Sequence, residues 1–161
     1  MRLTTRRLAS SVACLGLSAF LVGAVFAQSD PQVGVWKLNV AKSKFSPGPA
    51  PQSATTVIEA VGKGTKVVVD QVAADGTKRH WEFTANYDGK DNPMTGNADA
   101  DTVARTLIDA NTVQSISKKG GKVVSTQTSV VSKDGKTRTV TTKGVNASGQ
   151  QVNNVAVYEK Q

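Results

Sequence analysis

His80-Trp81-Glu82-Phe83-Thr84-Ala85-Asn86-Tyr87 alternates without a break. In an extended chain Trp81, Phe83, Ala85 and Tyr87 share one face, and His80, Glu82, Thr84 and Asn86 share the other. A period of two marks a half-buried strand. The same texture runs outward in both directions. Thr and Val dominate, long amphipathic helical periods are absent, and turn signals recur at Gly62-Lys63-Gly64, Asp75-Gly76, Asp88-Gly89, Asp109-Ala110-Asn111, Gly120-Gly121, Asp134-Gly135 and Ser148-Gly149. Asp-Gly and Gly-Gly supply the positive φ that tight hairpin loops require.

Between the turns lie nine segments of strand length: 33–38, 55–61, 65–73, 77–87, 103–108, 112–118, 122–132, 136–145 and 151–160, with room for a short tenth near 90–95. Short, evenly spaced strands joined by hairpins predict an all-β fold: a single antiparallel meander closed as a β-barrel of about 8–10 strands. Segment 122–132 has Val123, Val124, Val130 and Val131 at its ends but Ser, Thr and Gln on both faces of its middle. A polar-lined interior or an exposed hairpin extension would each account for that. Two stretches break the rhythm. Residues 39–54 hold Pro47, Pro49 and Pro51 around Gly48 and read as a covering loop, with a helical turn at Val40–Lys44 capped by Asn39. Residues 88–102, rich in Asp, Asn and Gly, read as a long loop.

The N-terminus is of another kind. Arg2, Arg6 and Arg7 precede an apolar stretch from Val12 to Phe26, which ends in Ala24-Val25-Phe26-Ala27. A charged start, an apolar run and a small-x-small site form a secretory signal peptide, predicted to be residues 1–27. The run is short for a permanent membrane anchor, because Ser10 and Ser11 interrupt its approach. Cys14 lies too early in the run for a lipidation site, and Leu8-Ala9-Ser10 continues Arg6-Arg7 poorly as a twin-arginine signal. Cleavage after Ala27 leaves a single domain, residues 28–161, secreted or periplasmic and without cysteine. Lacking disulfides, it must hold together by packing and by its hydrogen-bond ladder, and closing a barrel removes the open edges. The signal segment carries three of the 20 Lys and Arg and none of the 12 acids, so the formal charge falls from +8 to +5 on cleavage. That excess is spread along the chain, with only Lys78-Arg79 and Lys118-Lys119 adjacent, which argues against nucleic acid as a partner.

The mature chain opens with Gly34-Val35-Trp36-Lys37-Leu38 and ends with Val157-Tyr158-Glu159-Lys160. Gly-x-Trp on a first strand and this closing strand resemble the lipocalin and fatty-acid-binding protein group, the calycins. The chain is also similar to small secreted bacterial proteins with the same two ends, a likeness that carries no function with it. The calycin resemblance implies that Trp36 plugs the closed end of the barrel and that Lys160 packs across its ring as a cation over an aromatic face. It also marks two departures. The Arg that fatty-acid-binding proteins usually place two residues before the last-strand Tyr is Ala156 here, and their two-helix lid is replaced by the proline loop. The missing cation implies a preference for neutral apolar ligands over free fatty acids, since a buried charge needs a partner. Arg105 and Arg138 are the candidates to replace it from other strands.

Catalytic chemistry has little to stand on. His80 is the only histidine and shares a strand face with Glu82, but no third orienting or nucleophilic group accompanies the pair. Asn97-x-Asp99-x-Asp101 has the oxygen spacing that opens a calcium loop, yet Thr102 replaces the glycine and Ile108 the closing Glu. Transition metals would find one His and no mature Cys. The sequence therefore predicts a non-catalytic exported barrel, monomeric and without a cofactor, metal site or membrane anchor after cleavage. It is expected to bind a small apolar molecule among Trp36, Trp81, Phe83, Tyr87 and Tyr158, the last as a polar handle. The alternative is a structural or interaction module of the cell envelope in which those side chains simply fill the barrel.

Overall fold

The computed structural model describes residues 30–146 and 148–161. The predicted signal peptide, residues 1–27, lies outside the described residues. Ten strands follow in chain order: β1 Gly34–Lys44, β2 Ser53–Val61, β3 Gly64–Val72, β4 Lys78–Asn86, β5 Asp88–Thr95, β6 Thr102–Asp109, β7 Thr112–Lys119, β8 Lys122–Val131, β9 Thr137–Val145 and β10 Gln151–Lys160. Each pairs antiparallel with its chain neighbours, and β1 also pairs with β10, so the meander closes on itself. No helix occurs among the described residues.

The alternation that opens the sequence is read out in register. Val67 lies across from Phe83 and Val69 across from Trp81, so β3 and β4 present one apolar inner wall. Trp36, Ile58, Val67, Val69 and Val131 form the largest buried cluster, with Val33, Trp81, Phe83 and Tyr158 packed against it. A second cluster joins Leu38, Ala54, Val140 and Ala156 across β1, β2, β9 and β10.

The two irregular stretches resolve differently from their sequence reading. Residues 88–102 are not one long loop. The short tenth strand for which the spacing left room near 90–95 is present and longer, Asp88–Thr95, leaving only 96–101 as connection. Its extent is hard to read because Met94 is the only residue of β5 buried below the surface, and a strand wet on both faces needs no apolar alternation. Its ladder to β4 is only two pairs long, Glu82 with Thr95 and Phe83 with Met94, while it lies along β6 for most of its length.

The helical turn expected at Val40–Lys44 is strand instead, with a wide bulge. Asn39 pairs with Val157 but Lys44 with Val155, so β1 spends five residues where β10 advances two. Asn39 still caps the excursion: its Oδ1 accepts from the Lys42 amide at 3.1 Å. Ser43 stitches the far side, donating to the Asn39 carbonyl at 2.7 Å and accepting from the Val157 amide at 2.9 Å. Only then does the proline loop begin. It is tied down by the Ser46 amide on Asn154 Oδ1 and the Asn153 amide on the Ser46 carbonyl.

Candidate functional site: the barrel interior

One end of the barrel is sealed from within. Asp30 to Val33 form a turn ahead of β1, and Gln32 is 1% exposed. The Trp36 indole donates to the Gln32 carbonyl at 2.8 Å, and Trp36 itself is completely buried. Lys160 Nζ stands 5.1 Å from the Trp36 ring centroid, the cation over an aromatic face that the resemblance implied. Gly34 is needed for that arrangement. It has φ of 139°, and a Cβ there would lie 2.6 Å from Lys160 Cε.

Above this floor the barrel is hollow. A cavity of about 780 Å³ is lined on one side by Val67, Val69, Trp81, Phe83, Met94 and Val103. On the other side, β7 to β9 contribute Ser115, Ser117, Ser125, Gln127 and Thr142. The polar middle of β8 thus lines the interior. A bulge at Val124 turns that side chain inward as well, against the cluster of Met94, Ala100 and Val103. At the far end Phe45, Arg79 and Asn154 line both the cavity and two depressions beneath the proline loop, where the interior meets solvent.

Of the five aromatic residues picked from sequence, the structure brings Trp81, Phe83 and Tyr158 to the cavity wall. Trp36 and Tyr87 do not line it. Trp36 lies beneath the floor, sealed by Gln32 and the first core cluster. Tyr87, in the bend between β4 and β5, donates its hydroxyl to Asp30 Oδ2 at 2.5 Å. Its own burial, first of all, pushes its pKa from 10.0 up to about 12.

The residues that dominate the cavity's electrostatics are Arg105 and Arg138. Arg105 is 2% exposed, Arg138 8%. Neither makes an ion pair among the described residues. Arg105 Nη1 donates to Thr65 Oγ1, and its Nε is buried with no hydrogen-bond partner. Its guanidinium lies 5.0 Å from the Tyr87 ring centroid and 5.8 Å from that of Phe83. Arg138 sits directly across the β9–β10 ladder from Tyr158 and 5.6 Å from its ring centroid. Of the two candidates for the cation missing at Ala156, Arg138 thus lies beside Tyr158 on the neighbouring strand. Burial pulls the Arg138 pKa down to about 10, and the charge of Arg105 pulls the same way. Burial likewise pushes the Tyr158 phenol up.

The sequence marked both arginines only as substitutes for the missing cation. The signal for Arg138 was its place inside 136–145, in step with Val140 and Thr142. Of the other motifs, His80, Asn97 and Asp99 also line the cavity, His80 and Asp99 as solvent-exposed side chains, and each motif is engaged locally. His80 pairs with Asp70 at 2.7 Å on the exposed surface rather than with Glu82, which pairs with Lys66. The oxygens of the 97–101 stretch serve the loop itself: Asn97 Oδ1 accepts from the Asp99 amide, and Asp101 Oδ2 from the Gly120 amide. Among the described residues no group of three His, Cys, Asp or Glu side chains could hold a metal ion.

No protein-family model matches the chain, and no curated protein does. Among solved structures it is similar to the zebrafish ileal bile acid-binding protein complexed with cholic acid. The TM-score is 0.51 at 15% identity, covering 81% of this chain and 99% of that one. The fold is calycin-like. At that identity the likeness extends to the path of the strands and not to the side chains that line them.

Proposed function

We propose that the protein is an exported, non-catalytic binding protein that holds a small amphipathic molecule in its barrel, an apolar body against Trp81 and Phe83 and an anionic group at Arg138 and Arg105. The observation that carries this reading is the pair of buried arginines lining an open cavity, neither held in an ion pair among the described residues. Burying a charge without a partner is costly, and an anionic ligand would supply that partner. The cavity volume falls in the range of small-molecule sites, whereas a barrel serving as a filled structural module would leave no such space. That the similar zebrafish protein is complexed with cholic acid is in keeping with a ligand of this type. The preference for neutral ligands implied by Ala156 is thereby replaced by a preference for acids.

Calorimetric titration with dodecanoate and 1-dodecanol tests the reading. The acid should bind tighter by about tenfold or more, the order expected of a charge-assisted contact in a dry site. Arg138→Gln should abolish the difference. Equal or weaker binding of the acid, or binding of neither, refutes the anionic reading. The export half has its own check: protein from the extracytoplasmic fraction should begin at Gln28.

A further inference from the structure

The floor of the barrel meets a residue of the cavity wall through Gln32. Gln32 belongs to the turn that precedes β1, yet its side-chain amide is among the most buried groups of the molecule. Its Nε2 donates to the Asn111 carbonyl at 3.0 Å and to the Ser129 carbonyl at 3.4 Å. Two carbonyls facing that nitrogen fix the amide's orientation. Its Oε1 must then point the other way, where it accepts from Ser129 Oγ at 2.9 Å and from Arg138 Nε at 3.2 Å. Arg138 Nε also donates to Ser129 Oγ at 2.8 Å. A closed triangle of Gln32, Ser129 and Arg138 thus holds the inner edge of the guanidinium.

The identity of residue 32 decides what that triangle does to the charge. An amide oxygen accepts a hydrogen bond without bringing a negative charge. A carboxylate in the same place would form a buried ion pair and neutralise Arg138 internally. The two arginines also differ in this respect. Arg105 stacks on Tyr87, whose hydroxyl is bonded to Asp30, so a carboxylate lies one residue away from it. Arg138 is met by an amide, a hydroxyl and an aromatic ring, all neutral.

We infer that Gln32, contributed by the N-terminal turn and not by the barrel wall, is the residue that sets the charge selectivity of the cavity: it orients Arg138 by its Nε while leaving the charge uncompensated for an anionic ligand. The inference rests on the anionic reading above and names the positioning residue for it. Arg138 is then the principal anion seat and Arg105 the subordinate one.

The test uses Gln32→Glu and Gln32→Met in the full mature chain, with two measurements. The first is the ratio of dodecanoate to dodecanol affinity. Gln32→Glu should lower it by about tenfold or more through internal neutralisation, and Gln32→Met by a few-fold through loss of the orienting acceptor. The second needs no ligand: proton exchange at Arg138 Nε, followed by nuclear magnetic resonance and assigned with Arg138→Lys. It should be slow in the wild type and faster in Gln32→Met, which is close to isosteric and keeps the fold testable if Gln32→Glu does not fold. A wild type without acid preference whose Nε exchange still quickens in Gln32→Met leaves the orienting contact standing and removes the anionic reading. Exchange unchanged in Gln32→Met overturns the inference. So does a wild-type affinity ratio in the folded variants of a protein that prefers the acid.

Discussion

Gly34 shows how much of the opening motif is sterics. Its φ of 139° lies where only glycine is comfortable, and the space where a side chain would start is crossed by Lys160 on its way to the Trp36 ring. Gly34→Ala should therefore cost about 1–3 kcal/mol, the usual cost of forcing a side chain into such a conformation. Denaturant unfolding of the variant measures it, and a wild-type midpoint would remove the argument. Titration offers a second handle, because the chain has two tyrosines and burial raises both. For an acid whose folded pKa lies above its unfolded one, the native state holds the proton longer. Tyr87 thus leaves stability unchanged below pH 10.0, and stability falls as pH rises from there to about 12. Phenolate absorbance of the native protein should show no tyrosine titrating at its ordinary value, whereas the denatured chain should show both doing so. Arg138 predicts a further dependence of opposite origin. With its free-state pKa near 10, dodecanoate affinity should be flat through neutral pH and decline above that value, while dodecanol affinity should not change with it.

Among the elements, β1 carries the least regular geometry and the clearest repair. Asn39 Nδ2 donates to Glu159 Oε1 while its Oδ1 receives the Lys42 amide, so one side chain joins the bulge to β10 and caps its turn. Asn39→Ala should cost about 0.5–2 kcal/mol, as the loss of a comparable cap does. Thermal unfolding would show it, and an unchanged midpoint would mean the bulge is held by Ser43 alone. The local sequence was half informative here. It marked Asn39 as a cap correctly, but it could not show that the capped excursion is a bulge, because the β10 partners that keep it extended are more than a hundred residues away. β5 teaches the converse. Its pairing to β6 comes from position in the meander and not from any alternation of its own, so its polar composition reads as loop.

At the scale of the whole molecule, one closing ladder and one floor turn make the barrel a container. Trp36 joins them, since it lies on β1, contacts the N-terminal turn through Gln32 and carries Lys160 from β10. Trp36→Ala should cost about 3–5 kcal/mol, the range for large aromatic truncations in cores. Because the ligand would bind only the closed barrel, dodecanoate at a hundredfold excess over its Kd should stabilise the native state by about 2.7 kcal/mol. A melting temperature insensitive to the acid would count against an occupied interior.

Strand periodicity and turn chemistry were enough to indicate the meander and its closure, because they depend on steric and hydrogen-bonding rules between near neighbours and on a pattern repeated in every strand. The place of Trp36 under Lys160 was legible only through the resemblance of the two end motifs to the calycins. The contents of the barrel were decided only in three dimensions. Whether Tyr87 lines the cavity, whether the polar middle of β8 does so, and whether Arg105 and Arg138 are held in ion pairs all depend on which distant strands face one another. Gln32 is the extreme case. In the sequence it is one polar residue near a predicted cleavage site. Closure of the barrel brings it within hydrogen-bond reach of Arg138, 106 residues further on, and that distance along the chain is why no local pattern announces it.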